Sequence, residues 1–243
     1  MTAAAGWYGK LPQLGDFSQR RLPAEFVDRW DAWLQEGITQ SKTELGGEWL
    51  ESFLTAHIWH FLLTPGVLGP QAWTGIWMPS VDRVGRYFPF TVATELPPGT
   101  LLLAAAPALD AWLRRLDDCA RTVLEIDRGI DGLEESLREL GLPTLDEQPA
   151  QPCAAAAEQL AQREQLISLQ SWDGGNFPAD CLAAIAGARL QAALAGYSLW
   201  WCHGRDGASG GFAHRGLPTA SFLTKMLVYS PASETTTPTI GGV

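Results

Sequence analysis

The chain has few of the residues from which covalent cross-links and metal centres are usually built. Its 243 residues include only four cysteines and four histidines. The cysteines lie at positions 119, 153, 181 and 202, so no two of them form a CxxC pair. This spacing argues against a disulfide framework and against a zinc site built on thiolates, and it is typical of reduced thiols in a cytosolic protein.

A basic surface is also lacking. The formal net charge is −10, and residues 110–147 carry eleven acidic side chains against five basic ones. Such a field repels the phosphate backbone of a nucleic acid, and no basic stripe occurs elsewhere in the chain. We therefore expect no nucleic-acid partner.

Long hydrophobic runs are missing as well. The longest near-apolar run covers residues 101–109, contains Pro107 and has about half the length needed to span a bilayer. The first seven residues include neither a basic region nor an apolar segment, so we do not expect a signal peptide. These features predict a soluble, cytoplasmic protein without membrane insertion.

Tryptophan, glycine and proline are abundant. Eleven tryptophans and a hydrophobic content of 46% predict a sizeable core with tryptophans as buried anchors. The 25 glycines and 16 prolines indicate many turns and some sheet. Strands are predicted at 7–12, 58–63, 72–78, 87–96 and 197–202, and helices at 24–41, 48–54, 107–127, 133–140, 154–163, 179–195 and 219–228.

These elements predict an α/β protein of the α+β type, in which a mainly antiparallel sheet carries helices on its faces. We expect one domain over residues 1–229, or two packed halves (1–141 and 153–229) joined by the proline-rich linker 142–152. Residues 203–211 are expected to form a flexible loop. Residues 230–243, rich in Ser, Thr, Pro and Gly, are expected to be a disordered tail.

The most informative segment is the run Pro79-Ser-Val-Asp-Arg-Val-Gly-Arg-Tyr-Phe-Pro89. It places three charges, Asp82, Arg83 and Arg86, between large apolar neighbours, and a buried segment rarely tolerates three charges unless they are paired. Two interpretations remain open. Asp82 pairs with one arginine while the other binds backbone carbonyls at the neck of the loop, or these charges contact a partner.

Four further residues are candidates for partner binding. Lys10 and Asp16 flank a turn near the N-terminus; we expect them to be solvated, and the alternative is that they join the charges of the long motif. Trp200 and Trp201 are adjacent in a predicted strand and must face opposite sides of the sheet. One of them should lie in the core, and the other under a helix, at an interface or in solvent.

Catalytic and metal-binding motifs are not evident. His57 and His60 do not share a face of the predicted strand, and no ligand lies at a suitable spacing beside them. Ser80 and Asp82 invite a hydrolase interpretation, but Ser80 does not lie in a Gly-x-Ser-x-Gly elbow and has no placed histidine base. We therefore expect no catalytic residue, no cofactor and no metal.

Several segments together resemble the TagF family of bacterial type VI secretion accessory proteins. They are Gly6-Trp-Tyr-Gly-Lys-Leu-Pro12, Gly15-Asp16-Phe17, the tryptophan-rich helix 24–41, Pro65-Gly66-Val67, the long motif 79–89, Ser198-Leu-Trp-Trp201 and Gly216-Leu-Pro218. The resemblance spans residues 6–228, and the long motif is its most specific part.

The resemblance implies a cytosolic, post-translational repressor of type VI secretion that binds a forkhead-associated-domain scaffold protein of the apparatus. Some members carry a PppA-type phosphatase domain; no phosphatase metal motif occurs in this sequence, so we expect action by binding. The alternatives are a small hydrolase that uses the Ser80 and Asp82 region, or a structural subunit of the apparatus. The oligomeric state does not follow from the sequence.

Overall fold

The computed structural model describes residues 3–100, 102–124, 129–145, 177–204 and 207–231. Within them, seven strands form one antiparallel sheet in the order β2–β1–β5–β4–β3–β6–β7. The strands are β1 (Gly6–Gly9), β2 (Ser18–Arg20), β3 (Trp59–Leu63), β4 (Trp73–Met78), β5 (Phe90–Glu95), β6 (Tyr197–His203) and β7 (Ser209–Arg215). The predicted α+β class with an antiparallel sheet is confirmed.

Helices cover both faces of the sheet. They are α1 (Ala24–Leu45), α2 (Trp49–Thr55), α3 (Leu102–Arg121), α4 (Gly129–Leu140), α5 (Phe177–Leu194) and α6 (Ala220–Val228). Helices α1, α2 and α6 pack on one face, and α3 and α4 on the other. None of the helices in the described ranges is both long enough and apolar enough to cross a membrane.

Helix α1 follows directly from its sequence pattern. Its apolar residues recur at helical spacing, and Trp30, Trp33 and Leu34 are buried against the sheet. The helix starts after Pro23, whose extended backbone precedes the first turn, and it ends at Gly46, which adopts a left-handed φ of 52°. The predicted start at Ala24 is confirmed, and the helix continues one turn beyond the predicted end.

Side chains of the sheet alternate between two cores, as strand geometry requires. In β3, Trp59, Phe61 and Leu63 face the core under α1 and α6. His60 and Leu62 lie between them in sequence, so they face α3 instead. The same rule separates Trp200 from Trp201 in β6.

The predicted start of α3 at Pro107 is wrong. The helix begins at Leu102, and Pro107 lies inside it. The pattern suggested proline at the first helical position, where its missing N–H costs nothing. The alanines at 104–106 have high helix propensity, and burial of Leu102 and Ala105 against the sheet outweighs the hydrogen bond that Pro107 cannot donate.

The sequence patterns did not predict either edge strand of the sheet. Strand β2 has only three residues and β7 falls partly in the predicted loop 203–211. Because of Gly210 and Gly211, the sequence predicted a flexible segment. In the structure, neighbouring atoms leave no space for a Cβ atom at either position. A Cβ atom on Gly211 would lie 2.2 Å from the Trp200 carbonyl oxygen. The real loop between β6 and β7 is therefore shorter than predicted.

Strand β6 pairs with β3 over Trp59–Leu63, so residues on both sides of the predicted linker belong to the same sheet. Most of the linker, the helix predicted at 154–163 and most of the tail predicted at 230–243 lie outside the described residues. Helices α4, α5 and α6 agree with their predicted positions to within about four residues.

Candidate functional site

The long sequence motif forms the connection between β4 and β5, which we call the motif loop (residues 79–89). Its two sides are tied by a bridge between Val81 and Tyr87 and by a hydrogen bond from the Phe88 N–H to the Ser80 carbonyl, at 3.1 Å. At the end of the loop, Gly85 adopts a φ of 82°, which favours glycine. The motif loop is thus a closed hairpin extension of the sheet.

Asp82 holds the motif loop together from inside. Its Oδ1 accepts hydrogen bonds from the backbone N–H groups of Val84, at 3.0 Å, and Arg86, at 2.8 Å. Its Oδ2 accepts from the Arg86 Nε, at 2.7 Å, and lies 3.2 Å from the Lys10 Nζ. The side chain of Asp82 is fully buried, as is most of Lys10, whereas the paired Arg86 side chain is half-exposed.

The electrostatics of Asp82 follow from these partners. Burial on its own would raise the pKa of this carboxyl. The hydrogen bonds from the Arg86 backbone and side chain, from Lys10 and from the Val84 N–H outweigh burial and hold the pKa well below its usual value. Asp82 is therefore a carboxylate throughout the physiological range.

Lys10 belongs to the same cluster, so the expectation that it is solvated is wrong. Its side chain is only 8% exposed, and its carbonyl oxygen accepts a hydrogen bond from the Ser80 Oγ at 2.7 Å. The turn after β1 folds against the motif loop, and this contact between distant segments has no sequence signature. Asp16 is exposed and accepts only a local bond from the Phe17 N–H, as expected of a solvated turn residue.

The two arginines of the motif loop do not share the structural roles in the way that the first interpretation predicted, with one paired to Asp82 and the other bound to backbone carbonyls. Arg86 both pairs with Asp82 and donates from Nη2 to the Gly15 carbonyl oxygen. The Arg83 backbone N–H donates to the Leu14 carbonyl oxygen at 2.9 Å, but its guanidinium has no hydrogen-bond or ion-pair partner among the described residues. One arginine therefore performs both structural tasks, and the guanidinium of the other is exposed.

Exposed apolar side chains accompany the free arginine. Val84 is 64% exposed and Phe17 is 41% exposed. The Phe17 ring stacks on Tyr8 with a centroid distance of 5.8 Å and meets the edge of Phe88 at 4.8 Å. We call Phe17, Arg83 and Val84 the tip surface. The sequence did not single out Phe17, although its place in Gly15-Asp16-Phe17 offered a signal.

The adjacent tryptophans of β6 lie on opposite faces of the sheet, as predicted. Trp200 is buried in the core under α1, where its ring stands 5.3 Å from that of Trp33. Trp201 is half-buried and packs against the residues under α3. Trp200 is thus inaccessible to a partner in the folded protein, and Trp201 is the residue that lies under a helix.

A second buried charge, Glu134 in α4, was missed by the sequence patterns. It accepts two hydrogen bonds from the Arg21 guanidinium, both at 2.8 Å, and one from the Trp7 Nε1 at 2.7 Å. Arg20 and Arg138 lie within 3.5 Å and 3.1 Å of its carboxylate. The Arg21 hydrogen bonds are the main reason that the pKa of Glu134 falls to about 2.

The hydrolase interpretation finds no support in the geometry of the motif loop. Ser80 is buried and its hydroxyl donates to a backbone carbonyl, so its oxygen is not presented to a substrate. The carboxylate of Asp82 is already shared between Arg86 and Lys10. The lower part of the motif loop is held rigidly, and its tip exposes cationic and apolar side chains. This arrangement suits binding better than nucleophilic chemistry.

Two comparisons with known proteins give matches. The family model of the TagF N-terminal domain, described as type VI secretion system-associated, matches residues 6–140. The crystal structure of PA0076 from Pseudomonas aeruginosa PAO1, at 2.05 Å resolution, is similar to this chain with 35% sequence identity and a TM-score of 0.73. The match covers 99% of this chain and 100% of that chain. A comparison with curated protein sequences gives no match.

Proposed function

Because the chain belongs to the TagF family of type VI secretion system-associated proteins, we propose that it is a cytosolic, post-translational repressor of secretion. It binds a forkhead-associated-domain scaffold protein of the apparatus and acts by occupancy, masking the scaffold until an activating signal arrives. It uses no catalytic step and no cofactor. Secretion is thereby controlled through a protein–protein interface.

The observation that carries this proposal is the contrast between the two arginines of the motif loop. Arg86 binds both Asp82 and Gly15, whereas the exposed Arg83 guanidinium has no hydrogen-bond or ion-pair partner in the described parts of the chain and lies next to exposed Val84. A free guanidinium binds anionic groups in a fixed fork geometry, and neighbouring apolar atoms gain free energy when a partner covers them. The tip surface is therefore the contact that we assign to the partner.

The rigid base of the motif loop supports the same assignment. Asp82, Lys10 and Ser80 fix the backbone on both sides of Arg83 through buried and part-buried bonds. A contact residue on a preorganised loop loses little conformational entropy when it binds, so more of its contact energy appears as affinity. The same residues therefore serve the fold and, indirectly, recognition.

A tip variant tests the interface. Arg83→Glu with Val84→Asp reverses the charge and removes the apolar side chain, and neither residue contributes a side-chain bond to the fold among the described residues. The control is Arg115→Glu with Val228→Asp, which makes the same two changes at exposed positions away from the motif loop. In a pull-down from the native bacterium, the tip variant should lose the scaffold and the control should retain it.

The outcomes separate the interface from the function. If the folded tip variant retains the scaffold as well as the control does, the tip surface is not the contact. Deletion of the protein should raise secretion of type VI effectors, because the repressor is gone. If deletion instead abolishes secretion, the chain is a structural subunit of the apparatus and the repressor proposal is wrong.

A further inference from the structure

Three ligand-type side chains from distant parts of the sequence meet between the sheet and α3. They are His60 in β3, His203 at the end of β6 and Asp110 in α3. One potential ligand atom of each residue lies within 4.8 Å of those of the other two. The two imidazole rings are 5.2 Å apart, and the His203 Nε2 is 3.7 Å from the Asp110 Oδ1.

Each imidazole has one nitrogen engaged and one left over. The His60 Nε2 is 2.8 Å from the Asp117 Oδ1, and the His203 Nδ1 is 2.7 Å from the Ser209 Oγ. The His60 Nδ1 and the His203 Nε2 are buried atoms with no hydrogen-bond partner among the described residues. A buried nitrogen without a partner costs free energy, so these two atoms require an explanation.

The engaged nitrogens form the outer contacts that metal-binding histidines usually have. Such a histidine makes a hydrogen bond from its second nitrogen to a carboxylate or another oxygen, which fixes the orientation of the ring and leaves the first nitrogen for the ion. Asp117 holds His60 in this way, and Ser209 holds His203. Both histidines therefore have one nitrogen held by an oxygen atom, and in both the other nitrogen is buried without a hydrogen bond among the described residues.

We propose that His60, His203 and Asp110 bind a divalent transition-metal ion of the zinc type. His60 binds through Nδ1, His203 through Nε2 and Asp110 through Oδ1. Two imidazole nitrogens and one carboxylate oxygen form a donor set that suits zinc and disfavours calcium and magnesium, which prefer oxygen ligands alone. A fourth position remains for a water molecule or for an external ligand.

The surroundings are compatible with a bound cation. His60 is fully buried, while 20% of the His203 side chain and 41% of the Asp110 side chain are exposed, so an ion can enter from solvent. The Arg114 Nε donates to the Asp110 Oδ2 at 2.8 Å, which orients the carboxylate and leaves Oδ1 directed toward His203. Asp117 adds a second negative charge that offsets the charge of Arg114.

The ion would join two parts of the chain. His60 and Asp110 lie within residues 6–140, which match the TagF N-terminal domain, whereas His203 lies beyond them. Coordination would therefore clamp β6 and α3 to the centre of the sheet. Because the metal binds only the folded protein, it should raise the thermal stability of the whole chain.

The test uses the untagged full-length chain after removal of metals by a chelator. Zinc is titrated in competition with a chromophoric chelator, and cobalt is added separately for its absorption spectrum. We expect one zinc ion per chain and a rise in Tm on addition of zinc. His203→Ala and Asp110→Asn should each weaken zinc binding by more than about tenfold and remove the rise in Tm. Both positions are partly exposed, so these variants should fold without metal.

The controls are His57→Ala, which removes a half-buried histidine outside the cluster, and Cys119→Ser, which removes a thiol on α3. Both should bind zinc as the wild type does, and the cobalt spectrum should lack thiolate bands. The proposal is overturned if the wild type binds zinc no more tightly than His203→Ala. Loss of binding in Cys119→Ser would equally overturn it, because the ion would then sit on a thiolate.

Discussion

At the residue scale, Asp82 decides whether the motif loop keeps its shape. Its two oxygens accept from the backbone of Val84 and Arg86 and from the side chains of Arg86 and Lys10. Lys10 is buried as well, so its ammonium depends on this carboxylate for compensation. The charge of Asp82 is therefore needed by a residue that lies far from it in sequence.

Asp82→Asn should destabilise the protein by about 3 kcal/mol. The substitution leaves the buried ammonium of Lys10 without a counterion, and it places the amide N–H donor of asparagine against the N–H donor of the Arg86 Nε. The free energy of unfolding is measured by urea denaturation. Asp16→Asn is the control, since Asp16 is exposed and accepts a hydrogen bond from the neighbouring Phe17 N–H, and it should cost less than about 1 kcal/mol. Equal unfolding midpoints for the two variants would contradict the central role of Asp82.

The pH dependence of stability should report on Glu134. Its pKa falls from 4.5 to about 2 in the folded protein, mainly through the Arg21 hydrogen bonds. A depressed carboxyl pKa stabilises the folded state above the unfolded pKa, and this contribution disappears as the pH falls from about 4.5 to about 2. The contribution is below about 3 kcal/mol, because solvent screens the partly exposed guanidinium groups of Arg20, Arg21 and Arg138.

Glu134→Gln should therefore be less stable than the wild type at pH 7, and the difference should shrink as the pH approaches about 2. The measurement is the free energy of unfolding by denaturant at several pH values. Glu135→Gln, an exposed neighbour on the same helix, should stay within about 0.5 kcal/mol of the wild type throughout. A difference between Glu134→Gln and the wild type that is independent of pH would refute this explanation.

At the element scale, the sequence predicted the helices and strands whose apolar residues repeat regularly. It did not predict the features that depend on contacts between distant segments. The apolar rows of α1 and the central strands mark their own positions because burial repeats every 3.6 or two residues. Strand β2 has only three residues, and the half-buried face of β7 carries Gly210, Phe212 and His214, so neither edge strand has a row of large apolar side chains. The motif 79–89 contains the exposed residues Arg83 and Val84 of the proposed tip surface, but the burial of Lys10 and the meeting of His60 with His203 depend on contacts between distant segments.

Helices α1 and α6 show how closely two elements approach on the face that carries most of the tryptophans. A Cβ atom on Gly37 of α1 would lie 2.8 Å from the Leu223 Cδ2 and 3.0 Å from its Cβ. Gly37 is therefore present in the middle of a helix, at some cost in propensity, because α6 passes directly over it. This contact joins a residue of the N-terminal region to the last described helix.

Gly37→Leu should lower the free energy of unfolding by about 2 kcal/mol, since the new side chain must push α6 away from α1. Glu36→Leu introduces the same residue at the neighbouring exposed position and should change stability by less than about 0.5 kcal/mol. Thermal and urea denaturation of both variants measure the difference. A Gly37→Leu variant as stable as Glu36→Leu would mean that the two helices are not tightly packed here.

At the scale of the whole molecule, the matched N-terminal domain and the C-terminal strands share one sheet. The edge of β3 pairs with β6 along its full length, and Trp200 of β6 completes the core around Trp30 and Phe61. Helix α6 covers the same face and contributes Leu223 and Met226 to that core. Residues 6–140 are therefore a region of sequence similarity whose fold is completed by later residues.

A fragment of residues 1–145 should consequently lack a stable fold. It would expose the unpaired edge of β3 and the apolar side chains of Trp59 and Phe61, which are fully buried in the intact chain. An exposed edge of this kind favours aggregation, and a net stability of about 5–15 kcal/mol is small enough to be removed by the loss of apolar burial around these side chains. Circular dichroism melting and size-exclusion chromatography should show a non-cooperative, associating fragment.

Adding residues 177–231 as a separate chain should restore a cooperative transition. A fragment that melts cooperatively as a monomer near the Tm of the full chain would show that the N-terminal region folds alone, and the shared sheet would then be a docking of two independent units.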